Sequence, residues 1–172
     1  MSTLVVFAGL TISSCGNDPC KAIVCAYGGV CADGECTCAT GYEGTQCEKV
    51  SREKFMGTWG VTEKGTLTNP AIYNVSIEPA EAIQDVTIAN FYNLFPGEVR
   101  VKARVSNDTL YIDRQEAFNR VVEGVGYIDQ PATKEENAHM IMRYYVADPS
   151  TGKINDFGWD AGQPSEWELQ DQ

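Results

Sequence analysis

Residues 99–112 read Val-Arg-Val-Lys-Ala-Arg-Val-Ser-Asn-Asp-Thr-Leu-Tyr-Ile. In an extended chain Val99, Val101, Ala103 and Val105 face one way, and Arg100, Lys102 and Arg104 face the other. Successive side chains of a strand alternate between its faces, so this pattern predicts one buried and one wet face. Ser106-Asn107-Asp108 supplies the short polar residues of a tight hairpin turn, and Thr109-Leu110-Tyr111-Ile112 begins the return strand.

The same grammar extends in both directions. Short alternating runs are expected as strands at Met56–Gly65, Ile72–Ile77, Asp85–Phe91, Glu98–Ser106, Thr109–Gln115, Asn119–Ile128, Ala138–Ala147 and Lys153–Gly158, and a segment around Trp167 closes the structure. Asn69-Pro70, Pro96-Gly97 and Pro149-Ser-Thr-Gly152 mark other corners. No stretch offers a long helical period. Val50-Ser-Arg-Glu-Lys-Phe55 reads as a linker or a single helical turn. The expected fold class is mainly β: an eight-stranded antiparallel up-and-down β-barrel over residues 56–172, with a β-sandwich as its competitor.

Gly57-Thr58-Trp59 opens the first of these strands. A Gly-x-Trp at that place resembles the calycin and lipocalin barrels, in which the Trp plugs the closed end. The resemblance implies that the interior can hold a small apolar ligand. Trp59, Val75, Val101, Met140, Met142 and Tyr144 are the expected lining, their inward direction taken from alternation. A core filled by side chains is the other outcome for a barrel of this size.

The cysteines describe a second unit. All seven lie between Cys15 and Cys47. Cys20, Cys25, Cys31, Cys36, Cys38 and Cys47 follow a spacing that resembles an epidermal-growth-factor-like domain, and Cys36-Thr-Cys38-Ala-Thr-Gly41-Tyr42-Glu-Gly44-Thr-Gln-Cys47 matches the C-terminal signature of that family without a gap. Spacing alone leaves the pairing open. The family resemblance implies Cys20–Cys31, Cys25–Cys36 and Cys38–Cys47. A unit this small needs staples, each worth roughly 2–4 kcal/mol. A zinc site would want Cys-x2-Cys pairs or nearby histidines, and the chain has only His139. Some members of the family bind calcium. Asn17 and Asp18 precede Cys20 here, but the residues 32–35 lack the rest of that pattern.

Leu4 to Ile12 is an apolar run too short to span a bilayer, with the length of a signal-peptide core. Ile12-Ser13-Ser14-Cys15 resembles a bacterial lipobox, which implies acylation of Cys15 and a membrane tether through that lipid alone. Setting Cys15 aside leaves an even set for disulfides. Met1-Ser2-Thr3 lacks the positive charge usual before such a core. A buried N-terminal strand and an ordinary cleaved signal are the competing accounts. The expected organisation is a signal peptide at 1–14, the lipidated Cys and tether at 15–19, the stapled domain at 20–48, a linker at 49–55 and the barrel beyond.

The net charge is −11, so nucleic acid is not an expected partner. Nothing in the sequence pairs an acid with a base for catalysis. His139 lies on an expected strand beside Met140, Ile141 and Met142, where a structural role is ordinary. Asp148, Asp156 and Asp160 do not follow the spacing of a calcium loop and read as turn residues. Asn74-Val-Ser76 and Asn107-Asp-Thr109 fit a glycosylation sequon, although Asn107 is better explained by the turn. The chain is therefore expected to be a non-enzymatic protein without a cofactor, anchored by lipid to a bacterial envelope. It would act in adhesion or interaction with a protein or glycan at the cell surface. The alternative is a carrier of a small apolar ligand.

Overall fold

The computed structural model describes residues 18–94, 99–133 and 136–170. The expected signal segment, Cys15 and the expected tether up to residue 17 lie outside the described residues.

Residues 18–50 form a small module. β1 (Val30–Ala32) and β2 (Glu35–Thr37) make one antiparallel pair, and β3 (Tyr42–Glu43) and β4 (Lys49–Val50) a second. Disulfides join Cys20 to Cys31, Cys25 to Cys36 and Cys38 to Cys47. Cys47 is fully buried, and Tyr27 stacks on Tyr42 with ring centres 4.6 Å apart. The segment expected as a linker is β4 followed by a 3-10 helix, Ser51–Phe55, whose Phe55 is buried.

The remaining strands are β5 (Gly57–Glu63), β6 (Ala71–Pro79), β7 (Asp85–Ala89), β8 (Arg100–Ser106), β9 (Thr109–Ala117), β10 (Arg120–Gln130), β11 (His139–Asp148), β12 (Lys153–Phe157) and β13 (Ser165–Leu169). Each strand from β5 to β11 pairs antiparallel with the next, and β13 pairs with both β11 and β5 to close an eight-stranded barrel. Hydrogen-bonding the first and last staves removes the exposed edges an open sheet would leave.

Closure differs from the sequence expectation in one respect. Lys153–Phe157 is not a full stave. It pairs with the second half of β11, Tyr145 to Asp148, while β13 pairs with the first half, His139 to Met142. Together β12 and β13 form one split stave, interrupted by residues 158–164. Val99 also departs from the inward set: the strand begins at Arg100 and Val99 is 45% exposed. Beyond it the alternation of β8 is strict, with Val101, Ala103 and Val105 buried and Arg100, Lys102 and Arg104 exposed. Asn107 makes the predicted turn in the left-handed region, with φ 50°.

The barrel end nearest the module is closed by the 3-10 helix. Trp59 Nε1 donates to Phe55 O at 2.8 Å, and both side chains are fully buried. Arg52 Nη1 donates to the carbonyls of Ala80, Ala82 and Asp85. Ser51 N donates to Gly41 O, and Lys54 bridges Glu43 of the module and Asp108 of the barrel. The module is thus fastened to one end of the barrel by side chains from the helix between them.

Inside, β10 makes room for β11. Gly124 lies opposite Tyr144, and a Cβ on it would fall 2.6 Å from Tyr144 Cβ. Directly opposed Cβ atoms normally stand about 4.5–5.5 Å apart. Gly124→Ala should therefore force the β10–β11 ladder apart and cost about 1–3 kcal/mol, as overpacking does. Urea melts should show a lower midpoint at an unchanged slope.

Candidate functional site: an aromatic cleft on the barrel wall

Trp59, Val75, Val101, Met140, Met142 and Tyr144 all point inward, each at most 1% exposed, and all belong to one continuous core. The space around them is taken by other side chains of the protein. Phe91, from the short 3-10 turn Phe91–Asn93, is buried against Tyr144 and Trp167, with ring centres 4.8 and 6.3 Å away. Phe157 stacks on Tyr144 at 4.4 Å. Asn155 holds the far loops together. Its Oδ1 accepts from Leu67 N at 2.8 Å, and its Nδ2 donates to Thr68 Oγ1 and to Tyr92 Oη.

The core also contains a carboxylate that sequence reading did not single out. Glu63 is 7% exposed and shares the inward face of β5 with Trp59 and Val61. Its Oε1 accepts from Tyr73 Oη at 2.7 Å, and its Oε2 from Tyr144 Oη at 2.6 Å and Ser165 Oγ at 2.7 Å. Trp167 Nε1 in turn donates to Ser165 Oγ. Glu63 lies inside the expected strand Met56–Gly65, and period-two counting from Trp59 places it on the inward face.

Burial pushes the Tyr73 and Tyr144 phenols well above their usual range. The Glu63 carboxylate adds to this at Tyr73, and the neighbouring Tyr73 and Glu63 add to it at Tyr144. Both hydroxyls therefore stay protonated as donors. The unfolded phenol titrates near pH 10, at about its ordinary value. A folded value above that contributes stability in full below about pH 10, and the contribution is lost as pH rises beyond it. Phenolate absorbance should show these two tyrosines ionising only with unfolding above that pH. Tyr144→Phe should cost about 1–3 kcal/mol at neutral pH.

The outer wall carries a different kind of site. A cleft of about 720 Å³ lies over β9 to β12 and is lined in part by Arg114, Glu123, Tyr145, Ile154, Trp159 and Asp160. Trp159 is 37% exposed and Ile154 52%. Tyr145 meets Trp159 nearly edge to face, with ring centres 6.0 Å apart and planes at 72°. Tyr145 Oη donates to Glu123 Oε2 at 2.7 Å and accepts from Arg114. Partial burial and the Glu123 carboxylate raise the Tyr145 phenol above its ordinary range.

The loop that presents Trp159 is built into the split stave. Asp156 Oδ1 accepts from Trp159 N at 2.8 Å, and its Oδ2 from Asp160 N at 3.1 Å. Gly158 N donates to Ala161 O, and Arg143 Nη1 donates to Gly158 O. Gly158 has φ 77°, and a Cβ there would fall 2.7 Å from Pro164 N, so only glycine fits. Asp148 serves a separate turn: Ser150 N and Oγ both donate to it, and these bonds, with Arg120 alongside, pull its carboxyl down to about 2. Among the described residues no group of His, Cys, Asp or Glu is placed to hold a metal ion. His139 pairs through Nδ1 with Asp129 Oδ1 at 2.7 Å.

The sequence reads Asp156 and Asp160 as turn residues and passes over Trp159 between them; Asp156 lies instead on β12, 7% exposed, because its carboxylate folds the loop beyond the strand. The missed signal is an aromatic flanked by Asp and Gly in a turn, where no strand face can bury it. Comparison of the chain with protein-family profiles, with curated proteins and with solved structures returned no match in any of the three.

Proposed function

We propose that this protein is a non-enzymatic adhesion or interaction module of the bacterial cell envelope, tethered through an acylated Cys15, with the Trp159 cleft as its recognition surface. The stapled module is read as an epidermal-growth-factor-like domain that acts as a spacer, and the barrel as calycin-like. The observation that carries this reading is the pairing of a filled interior with a preorganised, solvent-facing aromatic cleft. Trp, Tyr and Arg are the side chains over-represented where binding energy concentrates. A loop already held in shape loses little freedom on binding.

The filled interior weighs against the carrier reading. The six expected lining residues are packed by Phe91 and Phe157, and the polar groups beneath are satisfied by one another. Three disulfides fit an oxidising compartment and so agree with export. The position of the cleft also suits a tethered receptor. The module occupies one end of the barrel, and the cleft opens on the half of the wall toward the other end, beside Thr66 and Ala147.

Two measurements test this. Cys15→Ser should move the protein from the membrane fraction to the soluble fraction, and the mature wild-type N-terminus should carry acyl mass on Cys15. A photo-cross-linker at Ala161, in the cleft, should trap a partner on intact cells, while one at Lys102 on the wall of β8 should not. Equal trapping at both positions, or at neither, would sink the recognition reading.

A further inference from the structure

The groups around the Trp159 cleft select a ligand chemistry, an inference that rests on reading this cleft as the recognition site. Arg114 brings a guanidinium that only donates; Glu123 and Asp160 bring carboxylates that accept. Tyr145 links Arg114 to Glu123 through one hydroxyl. An anionic ligand would meet these carboxylates and a chain of net charge −11. A cationic ligand would meet Arg114, and of the three carboxylates in the lining Asp156 is already held by the Trp159 and Asp160 N–H groups and Glu123 by the Tyr145 hydroxyl. A neutral polyol suits both kinds of group, because each of its hydroxyls donates and accepts. A sugar ring also presents a face of C–H bonds, which packs on an aromatic ring as other apolar groups do. Trp159 offers such a surface, braced by Tyr145 and held by backbone bonds that do not involve its indole.

We propose that the Trp159–Tyr145 cleft binds a neutral saccharide, with one ring stacked on Trp159 and its hydroxyls held by Arg114, Glu123 and Asp160. A cleft of about 720 Å³ is within the usual range for binding sites and larger than a single sugar needs, so a short oligosaccharide is the fitting length.

The test applies the full chain to immobilised neutral glucans, mannans, galactans and xylans, with sialylated and sulfated glycans alongside. Trp59 and Trp167 are fully buried, so a ligand-induced change in indole emission reports Trp159. The expected result is binding to a neutral glycan. Trp159→Ala should weaken it about tenfold or more, as loss of a central aromatic does, and Arg114→Ala should weaken it in the same direction. Lys102→Ala should leave it unchanged. Circular dichroism should match wild type for all three variants. Binding that survives Trp159→Ala, binding confined to the charged glycans, or no glycan binding would each overturn the saccharide assignment. If glycans fail while the Ala161 cross-linker still traps a protein and Trp159→Ala prevents it, the saccharide assignment falls alone. If the cross-linker also traps nothing, the recognition reading falls with it.

Discussion

The three hydroxyl bonds to Glu63 are the constraint on which the closed barrel turns. Glu63 stands on β5, and its donors come from β6, β11 and β13, so the cluster spans the seam where the last stave meets the first. A carboxylate in an apolar interior is costly unless every bond it needs is made. A slip of one residue in β11 or β13 would turn Tyr144 or Ser165 to the outside and strand Glu63 among hydrocarbon. Correct register and satisfaction of Glu63 are therefore the same condition. An apolar residue at 63 could pack as well, but it would not reject the slipped register by this route.

That seam also decides where the outer site can form. β12 leaves β11 after the Tyr145–Asp156 pair, and β13 joins it at the Met142–Ser165 pair. The chain between must leave the sheet and return to the same edge. Gly158 makes the turn out, its carbonyl held by Arg143, and Asp156 folds the next residues over its carboxylate. Trp159 is carried on this excursion and cannot reach the core, which Phe157 and Phe91 already fill. The exposed tryptophan follows from splitting one stave, and the split is tolerated because Glu63 and Trp167 fix the β13 half independently.

Most of the fold was legible because strands alternate and turns have their own chemistry. Val101, Ala103 and Val105 declared the inner wall of β8, and Asn107 its turn. The disulfide pairing followed the resemblance of the cysteine spacing. What was not legible depends on long-range partners. Lys153–Phe157 does not alternate: Ile154 is exposed while Asn155 and Asp156 are buried, so its pattern does not reveal that it is half a stave. Val99 obeys the alternation but lies outside the sheet, since a pattern does not report where the ladder begins. Glu63 was hidden because a charged residue is ordinarily solvated, and its partners lie 10, 81 and 102 residues away in sequence. The six expected lining residues did face inward, but alternation gives direction only. Whether an inward face meets a cavity or another side chain is decided by residues such as Phe91, which no periodic run contains.

Fastening the module to the barrel limits how far one can turn against the other. A freely jointed module would let the barrel turn about it and present its wall at random. Here Arg52 gathers three carbonyls of the 80–85 loop, and Lys54 reaches from Glu43 of the module to Asp108 of the barrel. Individually, exposed ion pairs contribute little to stability. Their value lies in direction: the 3-10 helix that carries both cations also supplies Phe55, whose carbonyl caps Trp59 in the core. The orientation of the module is thus coupled to packing that the barrel cannot give up. The module and the Trp159 wall therefore keep one relative orientation, so that its ordering cost is met during folding and is not charged again when a ligand binds.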